Sequence, residues 1–101
     1  MQENAAVSAF AALSLETRLQ AVRLLAKTGI DGLPAGEIAR RLNVPQSTLS
    51  DHLGVLTRAG LITSERRSRS IIYRAEANIL TELQKFLHQL SAAGEKSEHA
   101  G

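Results

Sequence analysis

The sequence predicts a mainly α-helical fold with one β-hairpin: a winged helix-turn-helix of about five helices and a two-stranded wing. Three observations predict it. Leu49, Leu53 and Leu56 recur at spacings of four and three between Pro45 and Gly60, marking a helix with one buried face. A shorter helical pattern, Ile38, Ala39 and Leu42, precedes it across only Asn43 and Val44. Two β-prone runs follow it, Leu61-Ile62-Thr63-Ser64 and Ser70-Ile71-Ile72-Tyr73, with Arg66 to Arg69 between them as a hairpin tip.

The elements follow in order. Asn4 to Leu13 is rich in alanine, with Val7, Phe10 and Leu13 spaced by three as a helical stripe. Ser14 is the expected N-cap of a second helix, and Glu16 places a negative charge in its first turn. Leu19, Val22 and Ala26 form the inner face of that helix, widened by Leu15, Leu24 and Leu25, and Gly29 stops it. Ile30 to Leu33 is expected as a loop. Pro34 opens the third helix, and Asn43 ends it in the left-handed conformation that Asn tolerates. Val44 is a buried hinge, Pro45 starts the fourth helix and Gly60 ends it. Asn78 is the expected cap of a last helix bearing Ile79, Leu80, Leu83, Phe86, Leu87 and Leu90. Residues 1–90 form one domain, and the small, polar stretch 91–101 is expected as a disordered tail.

Composition narrows the function. With 101 residues, 44% hydrophobic and three aromatics, the core is small, and dimerisation is a common remedy. The absence of Cys excludes disulfides, thiolate metal ligands and a cysteine nucleophile. No apolar run reaches the roughly 20 residues of a membrane helix, and the start lacks signal-peptide regions, so a cytoplasmic protein is expected. No paired carboxylates, Cys/His set or Gly-rich phosphate loop stands out, and the three His are dispersed. Neither catalytic residues, nor a metal site, nor a cofactor is therefore assigned. The net charge of +2 is unevenly spread. From Arg40 to Arg74 seven arginines face only Asp51 and Glu65, a surplus of five; elsewhere five bases face eight acids, a deficit of three. A positive segment on a mildly negative body suits a polyanionic partner, or a solvated basic face.

On the fourth helix, half a turn from its leucines, Ser47, Asp51, Gly54 and Arg58 point outward, with Thr48, Ser50 and His52 on the flanks. Short donors and acceptors at a helix start permit close approach to base edges in a major groove. Ordinary helix-start preference also accounts for Ser and Thr there.

Several short motifs occur together and in order: Phe10-Ala11-Ala12-Leu13-Ser14, Thr17-Arg18-Leu19, Gly36-Glu37-Ile38-Ala39, Gln46-Ser47-Thr48-Leu49-Ser50, His52-Leu53, Val55-Leu56 and Ala59-Gly60-Leu61-Ile62, then the wing to Tyr73. Over Val7 to Leu90 the chain resembles the arsenic-repressor-like (ArsR/SmtB) family of bacterial winged-helix regulators. The resemblance implies a homodimer built on the first and last helices, an imperfect inverted-repeat operator in duplex DNA, and repression of a nearby promoter. It does not carry over the family's sensors. Pro34 and Gly36 stand where founding members keep a cysteine pair, and Phe86 stands where an Asp-x-His metal motif ending at His88 would need Asp. The inducer, if there is one, is not named by the residues.

The expected DNA-binding residues are Arg41, Gln46, Ser47, Thr48, Ser50, Asp51, His52, Arg66, Arg67 and Arg69. Gln46, Ser47 and Thr48 reach phosphates or bases, and Gln can pair bidentately with adenine. Asp51 either accepts from a cytosine amino group or pairs with a neighbouring Arg. His52 is a phosphate contact or a half-buried histidine. Arg66, Arg67 and Arg69 grip backbone or minor groove, or only keep a hairpin tip soluble. Arg40 and Arg41 also suit the helix dipole. The expected dimer interface joins Val7 and Phe10 to Ile79, Leu80, Leu83, Phe86, Leu87 and Leu90, because one small domain cannot easily cover two apolar stripes; packing of the second stripe on its own first helix is the alternative. Two other functions stay open: a winged-helix protein-interaction module without DNA binding, and a metal-responsive repressor using His and carboxylates.

Overall fold

A computed structural model describes residues 1–100, with side chains described through residue 94. The order is α1 (Glu3–Leu13), α2 (Glu16–Thr28), a short 3-10 turn (Gly29–Asp31), β1 (Leu33–Pro34), α3 (Ala35–Leu42), α4 (Gln46–Arg58), β2 (Ile62–Arg67), β3 (Ser70–Ala75) and α5 (Ala77–Ala100). The three strands form an antiparallel sheet in the order β1-β3-β2. Leu25, Ile38, Leu49, Leu53, Leu56, Leu61 and Ile62 are fully buried and join α2, α3, α4 and the hairpin base.

On α1 the buried residues are Ala6, Ala9 and Ala12, and their small side chains let neighbouring helices approach closely. Arg18 Nε donates to the Ala12 carbonyl at 2.7 Å, supplying a partner to the open C-terminal end of α1. α4 buries Leu49, Leu53 and Leu56, as their spacing requires. Asn43 adopts φ 57°, ψ 48°, and the Val44 N–H returns to the Ala39 carbonyl at 3.0 Å. This left-handed cap reverses the chain between α3 and α4 without a glycine.

Several expectations need correction. Ser14 belongs to the end of α1, where its hydroxyl donates to the Ala11 carbonyl; Leu15 precedes α2 without a side-chain cap. The buried face of α2 is Ala21, Val22 and Leu25, so Leu15 and Leu19 lie outward. Ile30 to Leu33 is not all loop. Leu33 and Pro34 pair with Tyr73 and Ile72 as a third strand, and α3 starts one residue later. Val44 is half-buried rather than buried. Asn78 does not cap α5; its N–H donates to the Glu76 carboxylate, which does. The hairpin strands are longer than expected, so Arg66 and Arg67 end β2 and only Ser68 and Arg69 form the turn. Ser68 alone of the two has positive φ, 58°. Finally, α5 runs on through Ser91 to Ala100, most of the stretch expected as a tail, and Gly101 lies outside the described residues. Ala, Glu and Lys are strong helix formers, and no proline interrupts them.

α5 sets the shape. The chain measures 59 × 22 × 22 Å with a radius of gyration of 15.9 Å, against about 13 Å for a compact domain of this size. Leu83 is buried, and Ile79, Leu80 and Phe86 are half-buried against the core. The Phe86 ring meets Phe10 of the same chain at 6.1 Å between centroids. Beyond that contact Leu87 and Leu90 stay 52% and 59% exposed, and Val7 on α1 is 61% exposed.

Candidate nucleic-acid interface

α4 presents its polar end as the sequence requires. Gln46, Ser47, Thr48, Ser50 and Asp51 are exposed and His52 is half-buried. Pro45 offers no side-chain acceptor, so the first-turn N–H groups stay open at the positive end of the helix dipole. Ser50 donates to the Gln46 carbonyl at 3.1 Å, which turns its hydroxyl back along the helix. Asp51 makes no ion pair among the described residues, so of its two alternatives the pairing with a neighbouring arginine is not present.

The wing closes the other side of a groove of about 440 Å³. Gln46 and Ser50 line one wall, Arg69, Ile71 and Tyr73 the other, and Pro34 to Gly36 the end. The register explains this arrangement. Ser64 lies opposite Tyr73 and Arg66 opposite Ile71, so these four share the face that looks toward α4. Glu65, Arg67 and Arg74 share the other face with Ile72. Gly32 makes the sheet possible: its φ is 62°, and a Cβ there would meet the Tyr73 carbonyl oxygen and lie 2.8 Å from Ile72 Cγ2. Only glycine tolerates both.

The arginines are not electrostatically equivalent. Glu37, in the first turn of α3, accepts from Arg40 and from Arg41 Nε, the latter at 2.9 Å. Those hydrogen bonds, first from Arg40 and then from Arg41, hold the Glu37 carboxyl at about 2. On the wing, Glu65 Oε1 lies 2.8 Å from an Arg74 guanidinium nitrogen and 3.4 Å from one of Arg67. Arg74 foremost, then Arg67, lowers the Glu65 carboxyl. Arg58, Arg66 and Arg69 have no carboxylate partner among the described residues.

The structure thus brings Gln46 and Ser50 together with Arg69 in one groove, with Arg66 on the same face of the sheet, whereas Ser47, Thr48, Asp51 and His52 lie on α4 outside the groove lining, and Arg41 and Arg67 are each tied to a glutamate. The sequence reading missed Glu37 and Glu65. Both signals were present: Glu37 stands three and four residues before Arg40 and Arg41, and Glu65 two before Arg67 on a strand. Among the described residues no group of three His, Asp or Glu side chains comes together that could hold a metal. Among the described residues no helix is long and apolar enough to cross a membrane.

Comparison with known proteins gives the same picture. Residues 13–65 match a helix-turn-helix domain model. The transcriptional activator HlyU of Vibrio cholerae is 32% identical over 92 residues, covering 89% of this chain and 82% of its own. The structure of an ArsR-like transcriptional regulator from Rhodococcus sp. RHA1 superposes with a TM-score of 0.86 at 31% identity, over 96% of this chain and 89% of that one. A homodimeric winged helix-turn-helix DNA-binding domain from Mycobacterium bovis, described as a possible ArsR-family regulator, superposes with a TM-score of 0.70 at 26% identity, over 95% of this chain and 84% of that one.

Proposed function

The chain belongs to the arsenic-repressor-like (ArsR/SmtB) family of winged-helix transcriptional regulators, and on that premise we propose that two copies read an imperfect inverted repeat in duplex DNA and repress the promoter it overlaps. The observation that carries the reading is the concave face bounded by the start of α4 and the wing. It combines short hydrogen-bonding side chains, open first-turn N–H groups and arginines without carboxylate partners among the described residues. Gln46, Ser47 and Thr48 enter the major groove, while Arg66 and Arg69 lie along the flanking backbone.

Dimerisation completes the reader. Leu87, Leu90 and Val7 form the uncovered part of the α1–α5 surface, and the elongated protomer leaves α5 without a full partner. A two-fold axis through that surface places the two copies of α4 in successive major grooves, about 34 Å apart. Phe10 and Phe86 pack on each other within the protomer, and Ile79, Leu80 and Leu83 pack on its core, so these five support the interface from behind.

Repression follows where the operator overlaps a promoter. The Vibrio cholerae relative carries the name of an activator, so operator position is the property that sets the sign. A gel shift on the duplex upstream of the protein's own gene, with random duplex as competitor, tests the reading. A retarded complex that survives random competitor is expected; equal competition by random DNA contradicts an operator-specific role. A reporter fused to that promoter then separates repression from activation.

A further inference from the structure

The wing carries three arginines near its end, and a backbone clamp would ordinarily be credited to all of them. Their placement separates them. Arg67 follows Glu65 by two residues on the same face of β2, and Arg74 lies diagonally across on β3, opposite Thr63. Glu65 therefore stands between two guanidiniums, at 2.8 Å from Arg74 and 3.4 Å from Arg67. Arg74 is itself fixed, because its Nε donates to the Ile30 carbonyl and only 20% of its side chain is exposed. An isolated surface ion pair would be weak, but a carboxylate anchored by a buttressed arginine belongs to a network. Arg66 lies on the opposite face, across from Ile71, and Arg69 stands in the turn and lines the groove beside α4. Neither has a carboxylate partner among the described residues.

We propose that Glu65 is a positioning residue of the wing. Strand register already sets Arg67 and Arg74 on the outer face, and Glu65 pairs with both there, so that Arg67 is drawn away from phosphate and Arg66 and Arg69 are left to neutralise it. This rests on the DNA-reading function proposed above. Its physical consequence is a count of charges. Each phosphate contact adds about 0.9 to the slope of log affinity against log salt. The wing then contributes two contacts per protomer, and removing Glu65 adds a third through the released Arg67.

The experiment is a salt titration of binding to a random-sequence duplex by the full chain and its variants. Arg66→Ala and Arg69→Ala should each flatten the slope by roughly 1 for every wing engaged. Arg67→Ala should leave it unchanged, Glu65→Gln should steepen it by a similar amount, and Glu65→Gln with Arg67→Ala should restore the original value. All four positions are exposed, and an unchanged thermal midpoint checks each fold. A flattening by Arg67→Ala equal to that by Arg69→Ala overturns the assignment. So does a slope that Glu65→Gln leaves unchanged, or one that stays steep in the double variant, since general charge would then suffice. If the unsubstituted protein binds no duplex, the DNA-reading function itself fails and this inference with it; salt-dependent binding with the wrong variant order refutes the inference alone.

Discussion

Replacing Leu87 and Leu90 by alanine should dissociate the dimer without unfolding the protomer. The two side chains are 52% and 59% exposed on α5, so roughly half of each remains to be buried by a partner. Burying a leucine completely is worth about 1.5–3 kcal/mol, so the remaining half is worth about 1 kcal/mol per side chain. A two-fold interface doubles the pair to four leucines, or about 4 kcal/mol, which is roughly a thousandfold in dissociation constant. Sedimentation measured over a range of protein concentrations reads that constant directly. The halves already buried pack within the protomer, so its urea stability should fall by no more than about 2 kcal/mol. Operator affinity should fall together with dimerisation, because each half-site alone loses the second reading helix. An unchanged dissociation constant would refute this use of α5. A larger fall in protomer stability would refute it differently, by showing that the leucines pack mainly within one chain.

Gly32→Ala should destabilise the fold by about 1–3 kcal/mol from backbone conformation alone, because φ 62°, ψ −170° is a region open essentially to glycine. The crowding against Tyr73 and Ile72 adds to that, and a urea midpoint equal to the parent's would show that β1 does not approach β3 this closely. Leu53→Ala should cost about 2–5 kcal/mol in the same assay, because this fully buried leucine holds α4 to the core; a loss well under 1 kcal/mol would contradict that packing. The Glu37 carboxyl should titrate near 2 rather than 4.5 in a carboxyl NMR titration, and Arg40→Ala should move it back toward 4.5. Because the folded value is the lower one, the stabilisation is complete above about 4.5 and is lost as pH falls toward 2. An ordinary Glu37 value in the intact protein would show that the arginines of α3 do not hold it.

The reading helix was the most legible element. The spacing of Leu49, Leu53 and Leu56 fixed which side faces the core, and so which short polar residues face outward. Asn43 and Gly29 were legible for a similar reason, since their backbone conformations depend on residue type more than on context. β1 was not legible. Two residues carry no alternation, and Leu33 and Pro34 become a strand only because β3 offers them an edge. The face of α2 was misjudged because leucines surround that helix: Ala21 packs inside while the larger Leu15 and Leu19 remain outside. Small residues on α1 gave the same difficulty, with Ala6, Ala9 and Ala12 buried beneath the more conspicuous Val7 and Phe10. The wing was found, but its charges were read as a cluster. Their division depends on strand register, which sets Glu65 beside Arg67 and diagonal to Arg74 and leaves Arg66 on the other face.

Selection of bound sequences from a random duplex pool tests the two-fold reader most directly. The geometry predicts an enriched imperfect inverted repeat whose half-site centres lie about 10–10.5 base pairs apart, or a multiple of that. A pool that shows no enrichment, or one enriched in a single unrepeated half-site, would contradict it.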